Sequence, residues 1–165
     1  PMIGIDPSMT LTYRQEYGYV IPEKDLPKVQ LIQEWLASEG DKLSAIAVKP
    51  EEAKAFKLLA HCTEKTSAAP SIRQWQEIFS ALGHDLSVQA VGCCGMSGTY
   101  GHETINVETS KTIYELSWSE VVNDPENEGV LVATGYSCRS QVKRLDEKRI
   151  DHPVQVLLKS LRAPN

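Results

Sequence analysis

A chain of 165 residues is long enough for one domain with a full core, and 41% hydrophobic with 24% charged residues is ordinary for a globular protein. The net charge of −5 argues against nucleic acid or an anionic membrane surface as partner. No apolar run has the length of a membrane span and no secretory leader pattern opens the chain, so neither is expected.

Met2 to Ile5 reads as a short buried strand ended by Asp6-Pro7, and a helix follows over Met9 to Tyr17 with Ser8 as its N-cap. The apolar run directly after Pro1 is taken as the mark of a piece of a longer polypeptide. Asp25 to Glu39 has helical periodicity: Pro27 suits a first turn, Val29, Ile32, Trp35 and Leu36 share one face, and Gly40 can end it. Leu43 to Val48 is read as a strand, and so is the second half of Lys54 to Ala60, which leads into His61-Cys62. Pro70 to Leu82 predicts a helix with Ile72, Trp75, Ile78, Phe79 and Leu82 inward and Gly83 just past its end.

Leu86 to Val91 predicts a strand, followed by the glycine-rich loop Gly92-Cys93-Cys94-Gly95. A helix over Glu103 to Trp118 is expected to pack Ile105, Val107, Thr109, Ile113 and Leu116. A solvated loop over 124–129 precedes the buried strand Val130 to Ala133. Gly135-Tyr136-Ser137-Cys138 comes next, then a helix over Arg139 to Leu145, and His152-Pro153 opens a last helix over Val154 to Leu161. The three tryptophans, Trp35, Trp75 and Trp118, are read as core.

Strands alternating with helices imply an α/β fold: a mostly parallel sheet flanked by helices, Rossmann-like in three layers. Ligands of such sheets bind beyond the carboxyl ends of the strands. All four cysteines follow strands in the sequence, so the three loops carrying Cys62, Cys93–Cys94 and Cys138 are expected at one edge of the sheet. Each loop leads toward a helix N-terminus, whose partial positive charge favours the thiolate. In a domain without secretory features, ligand or redox cysteines are a better reading than two disulfides. The bland alternative is that Cys62 and Cys138 are small core residues.

Other motifs are more ambiguous. Gly95-x-x-Gly98-x-x-Gly101 suits either a phosphate cradle or tight-turn packing. His61, His102 and Glu103 can support a cofactor's ligands, or cap and solvate. Arg139, Lys143 and Arg144 can face an acidic partner or only water. Ile3 to Met9 also matches Leu131 to Cys138 in kind, strand then turn then helix, which places Met9 where the later copy has a cysteine.

His61-Cys62, Gly92-Cys93-Cys94-Gly95 and Gly135-Tyr136-Ser137-Cys138-Arg139 together resemble the CCG, or cysteine-rich, domain. That domain occurs in heterodisulfide reductase, in the iron–sulfur component of glycolate oxidase and in anaerobic glycerol-3-phosphate dehydrogenase, in one polypeptide of each. Ile5-Asp6-Pro7-Ser8-Met9-Thr10-Leu11, the run from Gly95 to Glu103, and His152-Pro153-Val154-Gln155 resemble more closely the carboxy-terminal part of long bacterial FAD-linked oxidoreductases of the D-2-hydroxyglutarate or D-lactate dehydrogenase type.

The resemblance implies that Cys62, Cys93, Cys94 and Cys138 bind an iron–sulfur cluster or zinc, with His61, Gly95, His102, Glu103 and Arg139 as supporting groups. It implies residues 1–50 as the end of a degenerate first repeat plus a linking helix, and 51–165 as the cysteine-rich domain. It implies FAD in the full-length protein, with flavin and ferredoxin-like domains of the same polypeptide as partners. The expected place is the cytoplasm, with attachment to the inner-membrane face as the alternative. Where the family often reads Cys-x-x-Cys, this chain has Cys138-Arg139-Ser140-Gln141, so four thiolates are expected rather than five. A structural zinc or docking domain is the alternative function, and thiol–disulfide chemistry at Cys93–Cys94 is a third. No residue names the hydroxy acid or the electron acceptor.

Overall fold

The computed structural model describes residues 1–48, 50 and 52–161. Its main sheet has three parallel strands in the order β4-β3-β5, formed by β3 (Ala55–Leu59), β4 (Asp85–Val88) and β5 (Leu131–Ala133). Along β3 the side chains alternate between two cores, as the pleat requires. Phe56 and Leu58 face Trp75, Ile78 and Phe79 of α5 (Pro70–Ala81), together with Val156 and Leu157 of α9 (Pro153–Leu161). Leu59 faces Tyr114 of α6 (Val107–Glu115), Trp118 and Val122 of α7 (Trp118–Asn123), and Val142 of α8 (Tyr136–Asp146). Helices therefore cover both faces, as expected of a three-layer α/β arrangement. Each fully buried aromatic or branched side chain contributes about 1.5–3 kcal/mol.

A second, two-stranded parallel sheet pairs β1 (Met2–Gly4) with β2 (Val29–Leu31). It carries α1 (Pro7–Gln15) and α2 (Ile32–Ser38), and Leu11 and Leu31 close on Ala68 beyond α4 (Cys62–Ser67). A buried polar network reinforces this junction. Glu64 accepts from Gln33 Nε2 at 2.7 Å, Thr134 Oγ1 at 2.6 Å and Ser71 Oγ at 3.3 Å, tying α4 to α2, to the end of β5 and to α5. Burial pushes the Glu64 carboxyl up despite those bonds.

Several expected elements differ. The stretch from Asp25 to Glu39 is not one helix: it starts at the last residue of a 3₁₀ turn (Glu23–Asp25) and then holds β2 and α2. Val29 and Leu31 are buried on either side of exposed Gln30, a period of two that the pairing with β1 selects over the helical period. Gly40 opens α3 (Gly40–Ile46), where a strand from Leu43 was expected, and Leu43 packs into the α5 core. The first strand forms over Met2–Gly4, but it is not buried as expected, since Met2 and Ile5 are more than half exposed. The N-cap of α1 is Asp6 rather than Ser8. Trp75 and Trp118 are core; Trp35 is only half-buried.

The helix expected from Glu103 begins at Val107 after two 3₁₀ turns, and it packs Ser110 and Tyr114 instead of Ile105, Thr109 and Leu116. Ile105 is 87% and Leu116 77% exposed. The reason is close approach: a side chain on Gly95 would lie 2.1 Å from the Ser110 carbonyl oxygen, so α6 turns its small residue to the loop. Helix α8 starts three residues earlier than expected, which puts Cys138 in its first turn. Ahead of α9, buried His152 accepts from the Val154 N–H through Nδ1 at 3.2 Å and meets Trp75 edge-on. The expected domain boundary falls at Glu51, which lies outside the described residues. Among the described residues no helix is long and apolar enough to cross a membrane.

Candidate functional site

Beyond the last residues of the three main strands the chain turns into the cysteine segments. Cys62 opens α4 three residues after β3, Cys93 follows β4 by five residues, and Cys138 follows β5 by five. A cavity of about 450 Å³ is lined by Cys62, Cys93 and Cys94, with His61, Thr63, Ser97, Gly98, Tyr136 and Ser137. Its remaining wall is Asp6, Ser8 and Met9, so the first turns of α1, α4 and α8 all border it. Another cavity, beside Leu131 and Lys148, holds no cysteine.

The four thiols make a continuous run. Cys62 lies beside Cys93, Cys93 beside Cys94, and the Cys138 thiol donates a hydrogen bond to Cys94. That bond, aided by the N–H groups of Met96 and of Cys94 itself, brings Cys94 down to about 7 against the opposing effect of burial. Cys138 is pushed well above its ordinary value because its proton is held by the Cys94 thiolate and because it is buried. Burial also raises Cys93, although the Gly95 N–H reaches its sulfur at 3.3 Å. Cys138 sits in the apolar core and does not line the cavity, Cys94 belongs to that core and reaches the cavity, and Cys62 and Cys93 are half-buried.

The loop holding the adjacent cysteines is clamped at both ends. Gly92 donates to Ser117 Oγ at 2.9 Å and accepts from Trp118 Nε1 at 3.0 Å. Ser110 Oγ donates to the Gly95 carbonyl at 2.8 Å. Gly95 has φ +83° and Gly98 φ +65°, a left-handed region that glycine enters at no steric cost, and the Gly95 N–H points at the Cys93 sulfur.

Of the expected supporting groups, His61 lines the cavity. Its N–H donates to Thr134 Oγ1 at 3.0 Å, and its Nδ1 accepts from the Thr63 N–H at 3.2 Å, capping α4. Burial lowers its pKa, partly countered by Asp6. Arg139 sits behind the site, donating to the Ala133 and Thr134 carbonyls at 2.9 and 3.1 Å. His102 and Glu103 are exposed and do not line the cavity; Glu103 accepts from the Asn106 side chain. The glycine spacing serves packing, since a side chain on Gly101 would strike Ser110 and Met96.

Asp6 was not anticipated as a site residue. Its Oδ1 caps α1 through the N–H groups of Ser8 and Met9, at 3.0 and 3.3 Å, while its Oδ2 accepts from the Tyr136 N–H at 2.9 Å. Burial works to raise its carboxyl, but these bonds and the nearby His61 outweigh it, and the net shift is downward. One carboxylate thus joins the starts of α1 and α8, the two helices of the sequence repeat. That repeat was the available signal, since it set Met9 against Cys138.

Among the described residues, no three Cys, His, Asp or Glu side chains gather around a point that a single metal ion could occupy. The fold and the cavity define a parallel α/β unit with a pocket among helix starts that three thiols line and a fourth, Cys138, backs from the core. In sequence the chain is 51% identical over 162 residues to D-2-hydroxyglutarate dehydrogenase of Pseudomonas putida, covering 96% of this chain and 15% of that protein. It is 44% identical over 164 residues to the Escherichia coli protein of the same name, covering 98% of this chain and 16% of that one. It is also 24% identical to one of the polypeptides of anaerobic glycerol-3-phosphate dehydrogenase of Escherichia coli, over 98% of this chain and 40% of that polypeptide. The chain therefore spans about one-sixth of the length of the dehydrogenases it resembles. No family model matches it, and no solved structure does.

Proposed function

We propose that this chain is the cysteine-rich, CCG-type part of a larger FAD-linked 2-hydroxy-acid dehydrogenase, and that Cys62, Cys93, Cys94 and Cys138 bind an iron–sulfur cluster. The observation that carries the reading is the run of four thiols, three lining one cavity and Cys138 buried against Cys94, with Cys94 already inclined to the thiolate that iron requires. The relatives' names supply the dehydrogenase context. When bound, such a cluster supplies one-electron transfer, which lets electrons leave a flavin elsewhere in the polypeptide. This chain's own part is to hold the thiols, direct the Gly95 and Met96 N–H groups at sulfur, and exclude water from the Cys94–Cys138 side.

A zinc site would need four sulfurs about 2.3 Å from one point. The thiols here form an extended run with no single-ion gathering, which suits a cluster whose cysteines reach different irons. Residues 1–50 are read as the end of a degenerate first repeat with a linking helix, and 51–165 as the cysteine-rich repeat. The matching strand–turn–helix units β1–α1 and β5–α8 support that division. The flavin and ferredoxin-like parts of the same polypeptide are the partners of this reading.

Anaerobic purification followed by iron, acid-labile sulfide and zinc analysis tests it. Iron with matching sulfide is expected, lost on Cys94→Ser. Zinc without sulfide would instead establish a structural or docking domain.

A further inference from the structure

We infer that Gln141 is a positioning residue for the thiol set. From the buried face of α8 it holds the Cys93–Cys94 loop, through Ser110, at the separation that keeps Cys94 against Cys138. The inference rests on reading the four cysteines as one set, and it adds a residue that is not itself a ligand.

Gln141 and Cys138 stand three residues apart on α8 and share a face. Gln141 is fully buried, and its Nε2 donates to Ser110 Oγ at 2.9 Å. Ser110, also fully buried, passes the connection on by donating to the carbonyl of Gly95, the residue after Cys94. The loop rests directly on α6 here, because Gly95 leaves no room for a side chain against the Ser110 backbone. One turn further along α8, Arg144 donates to the Gly101 carbonyl and steadies the far end of the same loop. At the near end, Ser117 and Trp118 hold Gly92, but they belong to the α6–α7 junction and α7 rather than to α8. Gln141 therefore couples the Cys94 side of the loop to the helix carrying Cys138.

A second observation separates this from simple core filling. The Gln141 Oε1 is buried with no hydrogen-bond partner among the described residues. A buried, unpartnered carbonyl is destabilising, and an apolar residue of the same length would avoid it. What the amide gives in exchange is its N–H, held to Ser110.

The test uses the intact protein, reduced and freed of metal, treated with limiting diamide. That diazene oxidant takes two electrons and two protons from a thiol pair, forming one S–S bond while it is reduced to the hydrazine. Peptide mapping gives the share of Cys94 joined to Cys138 rather than to Cys93. In the parent protein the Cys94–Cys138 link is expected to dominate. Gln141→Met, close in length and apolar, is expected to move that ratio toward Cys93 by about fivefold or more with no loss of thermal stability. Ser110→Ala is expected to do the same, and the double variant to go no further than the larger single change, as for two links of one chain. A parent-like ratio in Gln141→Met overturns the role of Gln141 while leaving the thiol set standing. A ratio that moves only in variants that also melt earlier overturns it too. Absence of any Cys94–Cys138 link in the parent protein overturns the set itself.

Discussion

Cys94 and Cys138 divide one proton between them, and the division is unequal. Cys138 donates, so the charge settles on Cys94, where two backbone N–H groups also point. In the metal-free reduced protein, Cys94 is expected to alkylate with a midpoint near pH 7, and Cys138 only at far higher pH. Cys138→Ala removes the donor and is expected to shift the Cys94 midpoint toward the free-cysteine value of about 8.5. Iodoacetamide labelling across pH, read by mass spectrometry, checks both; a midpoint unmoved by Cys138→Ala would show that the helix and loop N–H groups suffice. None of this follows from the spacing of cysteines, which says where thiols gather but not which one holds the proton.

At the scale of elements, the start of α1 and the start of α8 share the Asp6 carboxylate, and the two oxygens do different jobs. Asp6→Ala is expected to cost about 2 kcal/mol, about 1 for the lost cap and about 1 for the unpartnered Tyr136 N–H. Asp6→Asn can still cap through its carbonyl oxygen but presents an amide N–H₂ to the Tyr136 N–H, so about half that loss is expected. Urea unfolding of the pair separates the two contributions; equal losses would mean that the cap of α1 carries none of the stability.

Elements with a strong period and clear punctuation were readable from the sequence. Pro70 and Gly83 bracket α5, and β5 is a plain apolar run. The misreadings arose where tertiary contact decided. Val29 and Leu31 fit a helix or a strand equally well until β1 pairs with them. Likewise, α6 faces inward through Ser110 because a glycine on another loop lies against it, which hydrophobic periodicity cannot register. In the chain each cysteine segment comes after a strand, which is the sequence signal that marks them. The clamps that fix them, Ser110, Ser117, Trp118 and Gln141, look like any other helical residues in the sequence.

For the molecule as a whole, acid sensitivity should come in good part from His152. Burial first, and then the charge of Arg139, bring it down to about 4. Between about pH 6.5 and pH 4 the unfolded chain binds a proton there and the folded chain does not. Stability therefore rises with pH through that window, and about 3 kcal/mol is lost on acidifying across it. The lowered Asp6 adds a further loss at more acid pH, whereas Glu64, raised by burial, works in the opposite sense. Urea midpoints from about pH 4 to 7 should thus climb in the parent protein and climb less in His152→Asn. Parallel curves for the two proteins would remove His152 from the account.

The bond between Asp6 and Tyr136 spans 130 residues. During synthesis, the first wall of the cavity leaves the ribosome long before the amide it must meet, and the fourth sulfur appears only two residues after that amide. The set of four thiols is therefore incomplete until Cys138 has emerged. Until then Cys62, Cys93 and Cys94 stand without the buried thiol that steadies Cys94, open to stray metals and oxidants.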